Sequence, residues 1–293
     1  MPKRCCGPDP DATLLKGGAG ELDEQLKHSS KLPKCCFVGD RAARLGWLCD
    51  AGILSGRNRG MISASTGLEP QRDWSFTVIK RFTLYGSPHS LPTYKVALML
   101  RLSGEPFSFR YVSFQKGMHK TPEFLALSRW GQVPVLVDNE RVHLQSAAIV
   151  EHLAETLHQF QGSDSATRQA VREWLYWDVD VLFPPIFNCY GVHLGQRKLL
   201  PISVEPTIAD YHRRRAEAAL SVLDLQLTDR DYLCAAEPTI ADLFCYGDVA
   251  FAEICAFALH RWTNVVGWTE RVTALPGFKA PFALLTMQNA ELS

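Results

Sequence analysis

The chain of 293 residues carries 31 basic and 31 acidic side chains, giving a formal net charge of zero and a pI near 7.1. That balance lacks the basic footprint that phosphate-backbone binding requires, so nucleic acid is not expected as a partner. Apolar runs such as VPVLV and DVLFPPIF fall far short of the roughly 20 residues needed to span a bilayer, so no membrane partner is expected either.

The length accommodates roughly two domains of about 100–150 residues. The opening MPKRCCGPDPDATLLKGG has basic residues but no apolar run after them, unlike a secretory signal. A soluble, cytoplasmic protein is the expectation. The nine cysteines fall in two groups, Cys5, Cys6, Cys35, Cys36 and Cys49 early, and Cys189, Cys234, Cys245 and Cys255 late. They give neither a zinc-type Cys-x₂₋₄-Cys spacing nor a Cys-x-x-Cys redox pair, and read as reduced thiols that pack as small apolar groups.

Residues 1–79 read as a low-order, loosely packed or disordered extension. They are rich in Gly, Ser, Arg and Lys and show no sustained period, so they offer little apolar surface to offset the entropy of ordering. DEQLKHSSKL and RAARLGWLCDAGIL could each form a short helix, and Met61 is a second candidate start.

From Phe82 the signals sharpen. RFTLYG reads as a strand ending at Gly86, and SPHSLP as a loop stiffened by Pro88 and Pro92. TYKVALMLRLSG reads as a helix with Val96, Met99, Leu100 and Ser103 on one face and Gly104 beyond its end. FSFRYVSF alternates as a strand, and KTPEFLALS is a short helix with Pro122 in its first turn. Next come a strand from Val133 to Val137, a turn at Asp138-Asn139, a strand from Arg141 to Leu144, and a helix in which Ile149, Leu153 and Leu157 recur every four residues.

The order over residues 80–160 is therefore βαβαββα. Residues 165–293 read as all helical, through TRQAVREWLYWDVDVLF, YHRRRAEAALSVLDLQL, IADLFCYGDVAFAEICAFAL and VVGWTERVTAL. The hexamer EPTIAD occurs twice, at Glu205–Asp210 and Glu237–Asp242. In each copy Thr is placed to cap a helix and Asp, three residues on, to reach back to it.

Pro134 is out of place in a buried strand, because it cannot donate to a ladder. A βαβαββα unit with proline at the start of its third strand resembles the thioredoxin-like fold, in which that X-Pro bond is cis. A cis bond there would expose the main chain of Val133, which could then pair like a strand with a bound peptide. Ser146 is expected at the N-cap of the next helix, where free N–H groups and the helix dipole favour a carboxylate.

The segments LYGSPHSLPTYKVALML, TPEFLALSRWGQVPVLVD, LQSAAIVEHLAE, EPTIADLFCYG and VVGWTERVTALPGF, in that order, resemble the glutathione transferase superfamily over about residues 82–285. The likeness is greatest to its bacterial-type or theta-like, serine-using members. It implies a thioredoxin-like glutathione-binding domain followed by an all-α domain, glutathione as co-substrate, a small electrophile as second substrate and a homodimer. It also implies Ser90 as the catalytic hydroxyl, with Tyr85, Ser87 and His89 as rivals.

Gln132, Val133 and Pro134 are implied for the peptide backbone, and Gln145 with Ser146 for the γ-glutamyl end. Most members carry an acidic residue where this chain has Gln145. Trp177 and Phe183 come from an aromatic set with Trp174, Tyr176, Phe187 and Tyr190, and are candidates for the second-substrate pocket. Metal is not expected, since there is no His-Glu-x-x-His, and nucleotide fingerprints are missing too. The alternatives are glutathione-dependent isomerisation or dehalogenation on the same fold, and a non-catalytic binding or assembly module.

Overall fold

Five strands and a series of helices are laid out in the computed structural model, which describes residues 80–198 and 203–293. The readings made for residues 1–79 lie outside the described residues. Ile79–Ser293 forms one compact unit. Its first part runs β1 (Phe82–Gly86), α1 (Leu91–Leu102), β2 (Phe107–Tyr111), a 3-10 turn (Met118–Lys120), α2 (Pro122–Leu127), β3 (Val135–Asp138), β4 (Arg141–Leu144) and α3 (Ser146–Leu157). This is the βαβαββα order read from the sequence.

The helical part comprises α4 (Ser165–Trp177), a π-helical turn (Asp178–Leu182), α5 (Phe183–Gln196), α6 (Pro206–Gln226), α7 (Ile240–Ile254), α8 (Thr263–Thr273) and α9 (Pro281–Leu284). The chain then closes with β5 (Ala290–Leu292).

The sheet order is β4-β3-β1-β2-β5. β1 pairs in parallel with β2 through the α1 crossover, while β3 runs antiparallel to β1, β4 to β3 and β5 to β2. The expectation of helix alone after residue 165 is corrected by β5, which covers the outer edge of β2. Three residues have no readable period, and an open edge rewards pairing. Glu291 fixes it, accepting hydrogen bonds from Ser108 Oγ at 2.5 Å and Arg110 Nη1 at 2.7 Å.

Several boundaries differ from the sequence reading. β3 starts at Val135 instead of Val133, because the proline interposes a turn before the ladder begins. β2 stops at Tyr111 instead of running through FSFRYVSF. The long helix expected over TRQAVREWLYWDVDVLF is present but passes through a π-helical turn at Asp178–Leu182 before continuing as α5.

α1 is not one-faced. Nine of its 12 residues are buried, so it lies inside the molecule instead of on its surface. It packs on α7 and α3, and Leu91, Leu98 and Leu100 join Phe82, Leu84, Ile149 and Phe251 in one continuous core. Gly86 lets the end of β1 approach this helix, since a Cβ there would stand 2.1 Å from Thr93 Cγ2.

The two EPTIAD copies behave differently. The second forms the expected capping box, Thr239 with Asp242. In the first, α6 begins at Pro206 with Glu205 as N-cap, so Thr207 lies inside the helix. In the second copy Thr239–Asp242 are buried, and Trp268 Nε1 of α8 and the Leu233 amide both donate to Asp242 Oδ1, at 3.0 and 2.8 Å. Thr207 and Asp210 of the first copy face solvent, and nothing there selects the cap.

Candidate active site at one end of the sheet

The strand register determines where the candidate residues meet. Tyr85 at the C-terminal end of β1 pairs with Val135 at the start of β3, and Val135 pairs with Leu144 at the end of β4. The Ser87–Ser90 loop therefore leaves the sheet at the same end where Val133 and Pro134 enter it and where Gln145 and Ser146 depart. Candidates spread over 60 positions, from Ser87 to Ser146, share one end of the fold.

Ser90 is the N-cap of α1, and its Oγ accepts the Thr93 amide at 3.2 Å. That bond occupies an acceptor site of the hydroxyl oxygen and leaves its own O–H available as a donor, half-buried at the positive end of a 12-residue helix. The loop beneath it is fastened twice. Ser87 is buried, with its carbonyl accepting the Ser90 amide at 3.0 Å and its hydroxyl oxygen accepting the His89 amide at 3.3 Å. His89 Nδ1 lies 2.8 Å from the Tyr190 hydroxyl of α5, and its ring lies 5.4 Å from that of Phe282. Burial holds the His89 imidazole below its ordinary pKa, which favours the neutral ring.

Ser87 and His89 shape and anchor the loop. Tyr85 points to the opposite side of the sheet from Leu84, and packs edge-on against Phe124 with centroids 6.5 Å apart, in a small cluster with Val112 and Val135.

The Val133–Pro134 peptide bond is cis, as the sequence reading expected. Val133 is half-buried and lies outside the β1–β3 register. Gln132 is held by Ser128, whose Oγ donates to the Gln132 carbonyl at 2.9 Å and accepts the Gln132 amide at 3.1 Å. Sequence reasoning missed Ser128; its only signal was a small polar residue four positions before Gln132.

Gln145, not Ser146, is the N-cap of α3, so Ser146 is its first residue. The reason lies in the backbone. Gln145 adopts φ 68°, ψ 117°, which turns the chain from β4 into the helix one residue earlier than a serine cap would. Left-handed φ is uncommon for a non-glycine residue. Both glutamines are exposed, and Gln145 Nε2 donates to Gln132 Oε1 at 3.5 Å, so the two candidate binding residues touch across 13 positions.

The two predicted pocket residues lie at the junction with the helical part. Phe183 faces Lys95 of α1, whose Nζ is 5.5 Å from the ring centroid, and Trp177 packs edge-on against Trp174 at 4.9 Å. Neither makes a ring contact with the Ser90 loop; Tyr190 and Phe282 do, through His89. The late cysteines are free thiols. Burial raises Cys189 to about 11 and both Cys234 and Cys255 to about 12, so they are poor nucleophiles near neutral pH.

Beneath the site lies a cluster absent from the sequence reading. Lys95 Nζ is 2.5 Å from Asp178 Oδ2 and 2.9 Å from Asp248 Oδ2, with all three side chains at most 1% exposed. The ammonium also sits 3.9 Å from the Phe244 ring centroid. Gly247 makes room for the lysine stem, as a Cβ there would stand 2.4 Å from Lys95 Cγ. Burial raises the Asp178 pKa well above the ordinary carboxyl value, helped by the neighbouring Asp248 charge; Asp178 therefore holds a proton more readily than an exposed carboxyl. Burial lowers the Lys95 pKa, but the two carboxylates more than offset it.

Comparison with known proteins agrees with this geometry. Residues 89–156 match the family profile "Glutathione S-transferase, N-terminal domain", and residues 192–276 match "Glutathione S-transferase, C-terminal domain". The chain is 32% identical over 216 residues to glutathione S-transferase 3 of Zea mays, covering 70% of this chain and 94% of that one. It is 29% identical over 196 residues to glutathione S-transferase theta-2 of Homo sapiens, covering 64% and 79%. A crystal structure of a possible glutathione S-transferase from Rhodopseudomonas palustris superposes with TM-score 0.60 at 31% identity, covering 69% of this chain and 97% of that one.

Proposed function

The chain belongs to the glutathione transferase superfamily, and from that premise we propose that it joins the glutathione thiolate to a small, partly apolar electrophile, with Ser90 as the residue that activates the sulfur. The observation that carries the reading is the Ser90 hydroxyl: its oxygen is engaged by the Thr93 amide, and its proton is left for an acceptor at the end of the sheet where Val133 and Gln145 meet.

Lowering a thiol pKa from about 8.5 to about 6.5 requires about 2.7 kcal/mol of preferential thiolate stabilisation. One charge-assisted hydrogen bond and a helix N-terminus together supply an amount of that order. The thiolate lone pair then attacks the electrophilic carbon, forming a C–S bond, and the leaving group departs with its bonding electrons. His89, neutral and tied to Tyr190, holds the loop and takes no proton in this scheme.

Gln132, Val133 and Pro134 receive the cysteinyl part of the tripeptide, and Gln145 and Ser146 the γ-glutamyl part. Because the Gln145 amide nitrogen donates to Gln132, its carbonyl oxygen remains to accept from the γ-glutamyl ammonium. A neutral acceptor in place of an acidic side chain at an exposed position costs about 0–1 kcal/mol, so affinity is weakened and not abolished. The second substrate lies against Phe183 and Trp177. In this reading residues 80–160 are the glutathione-binding domain, residues 165–293 the helical domain, and the protein is a cytoplasmic homodimer serving detoxification. Among the described residues, no helix is long and apolar enough to cross a membrane.

Retention on glutathione-agarose followed by a chlorodinitrobenzene conjugation assay tests the reading. Retention with glutathione-dependent turnover is expected. Retention without turnover on any electrophile tried would point to a binding module instead, and no retention would remove glutathione altogether.

A further inference from the structure

We propose that Asp138, His143 and His152 form a binding site for a single divalent ion of the zinc type, separate from the glutathione site. The three come from different elements: Asp138 ends β3, His143 lies in the edge strand β4, and His152 stands on α3. The register explains the meeting. His143 is the cross-strand partner of Leu136, which belongs to the core shared with Ile149 and Leu153 of α3, so His143 faces the helix that carries His152.

One ligand atom from each residue lies within 4.8 Å of the others. His152 Nε2 is 3.0 Å from Asp138 Oδ2. Two donors each about 2.0–2.2 Å from one ion and that far apart subtend about 90–95° at it, an angle compressed from the tetrahedral one. The two imidazoles stack with centroids 3.8 Å apart and 19° between planes. Arg81 fixes the carboxylate, donating from Nε to Oδ1 at 2.7 Å and from Nη2 to Oδ2 at 2.9 Å, and Asn139 Nδ2 donates to Oδ1 at 3.1 Å. Carboxylate ligands of metal ions are commonly fixed in this way.

A proton shared between His152 and Asp138 accounts for those two groups alone. It leaves His143 unexplained, since its Nε2 is buried with no hydrogen-bond partner. That unpartnered nitrogen stands beside a second imidazole and a carboxylate, the neighbours that a bound cation would share. Two imidazoles and one carboxylate suit zinc better than calcium or magnesium, which take oxygen donors. A water completes the coordination, because the His152 side chain is 28% exposed.

The test uses the full chain, stripped with a chelator and titrated with zinc chloride by calorimetry, without glutathione, so that the outcome is separate from the transferase reading. One equivalent is expected to bind with a dissociation constant of 10 µM or tighter, and His143→Gln and His152→Gln should each weaken it at least tenfold while the circular dichroism spectrum is unchanged. Substituting cobalt for zinc distinguishes the cysteines: nitrogen and oxygen ligands give visible bands alone, whereas thiolates add a near-ultraviolet charge-transfer band. No binding up to 100 µM zinc, undiminished binding in both variants, or a thiolate band that both variants retain would overturn the proposal.

Discussion

The Thr93 amide donates to Ser90 Oγ at 3.2 Å, so the residue proposed to activate the thiol is also the cap of the helix that presents it. Ser90→Ala removes both roles. Conjugation of chlorodinitrobenzene should fall at least tenfold with glutathione affinity near normal, and urea denaturation should show a loss of about 0.5–2 kcal/mol from the missing cap. Unchanged turnover would reject the assignment.

The buried Lys95, Asp178 and Asp248 predict an asymmetry between two substitutions. Lys95→Met strands two buried carboxyl groups without their cation and should cost about 3–5 kcal/mol. Asp178→Asn keeps the side-chain volume and leaves one lysine paired with one aspartate, so it should cost less than Lys95→Met at neutral pH. The pH dependence follows from the raised Asp178 pKa. The folded state binds more protons than the unfolded state, so the stability this group contributes is present below its unfolded pKa of 3.8 and is lost as pH rises through its folded pKa. Denaturation at acid and neutral pH should therefore find Asp178→Asn gaining on the wild type as pH rises. A parallel course for the two proteins would show that Asp178 does not carry the proton.

Gly86 predicts a steric effect with a specific rescue. A methyl at this position meets Thr93 Cγ2 at 2.1 Å, and Gly86→Ala should destabilise the fold by about 1–3 kcal/mol. Thr93→Ser removes the atom that is struck. The double variant should recover part of the loss, measured as a positive coupling in a double-mutant cycle.

The two EPTIAD copies predict opposite sensitivities for one substitution. Asp242→Ala leaves the Trp268 and Leu233 N–H groups and the Thr239 amide without their acceptor in a buried setting, and should cost at least about 2 kcal/mol. Asp210→Ala at the equivalent position of the exposed copy should change stability by less than about 0.5 kcal/mol. Thermal melts of the two variants side by side check the contrast.

What the sequence determined by itself was local. The βαβαββα order, the proline that ends up in the cis bond before β3 and the Thr239–Asp242 cap are all visible over a few consecutive residues, because side-chain period, proline geometry and capping act between near neighbours, whereas the capping role of Ser90 appears only in the structure. Only the tertiary structure decided the rest. β5 pairs with a strand some 180 residues earlier, Lys95 meets carboxylates 83 and 153 positions away, and His152 reaches Asp138 only because β3, β4 and α3 fold back on one another. Such groupings are stabilised by burial and by complementary charge across the core. Those forces depend on distance in space, and the spacing of residues along the chain carries no trace of them.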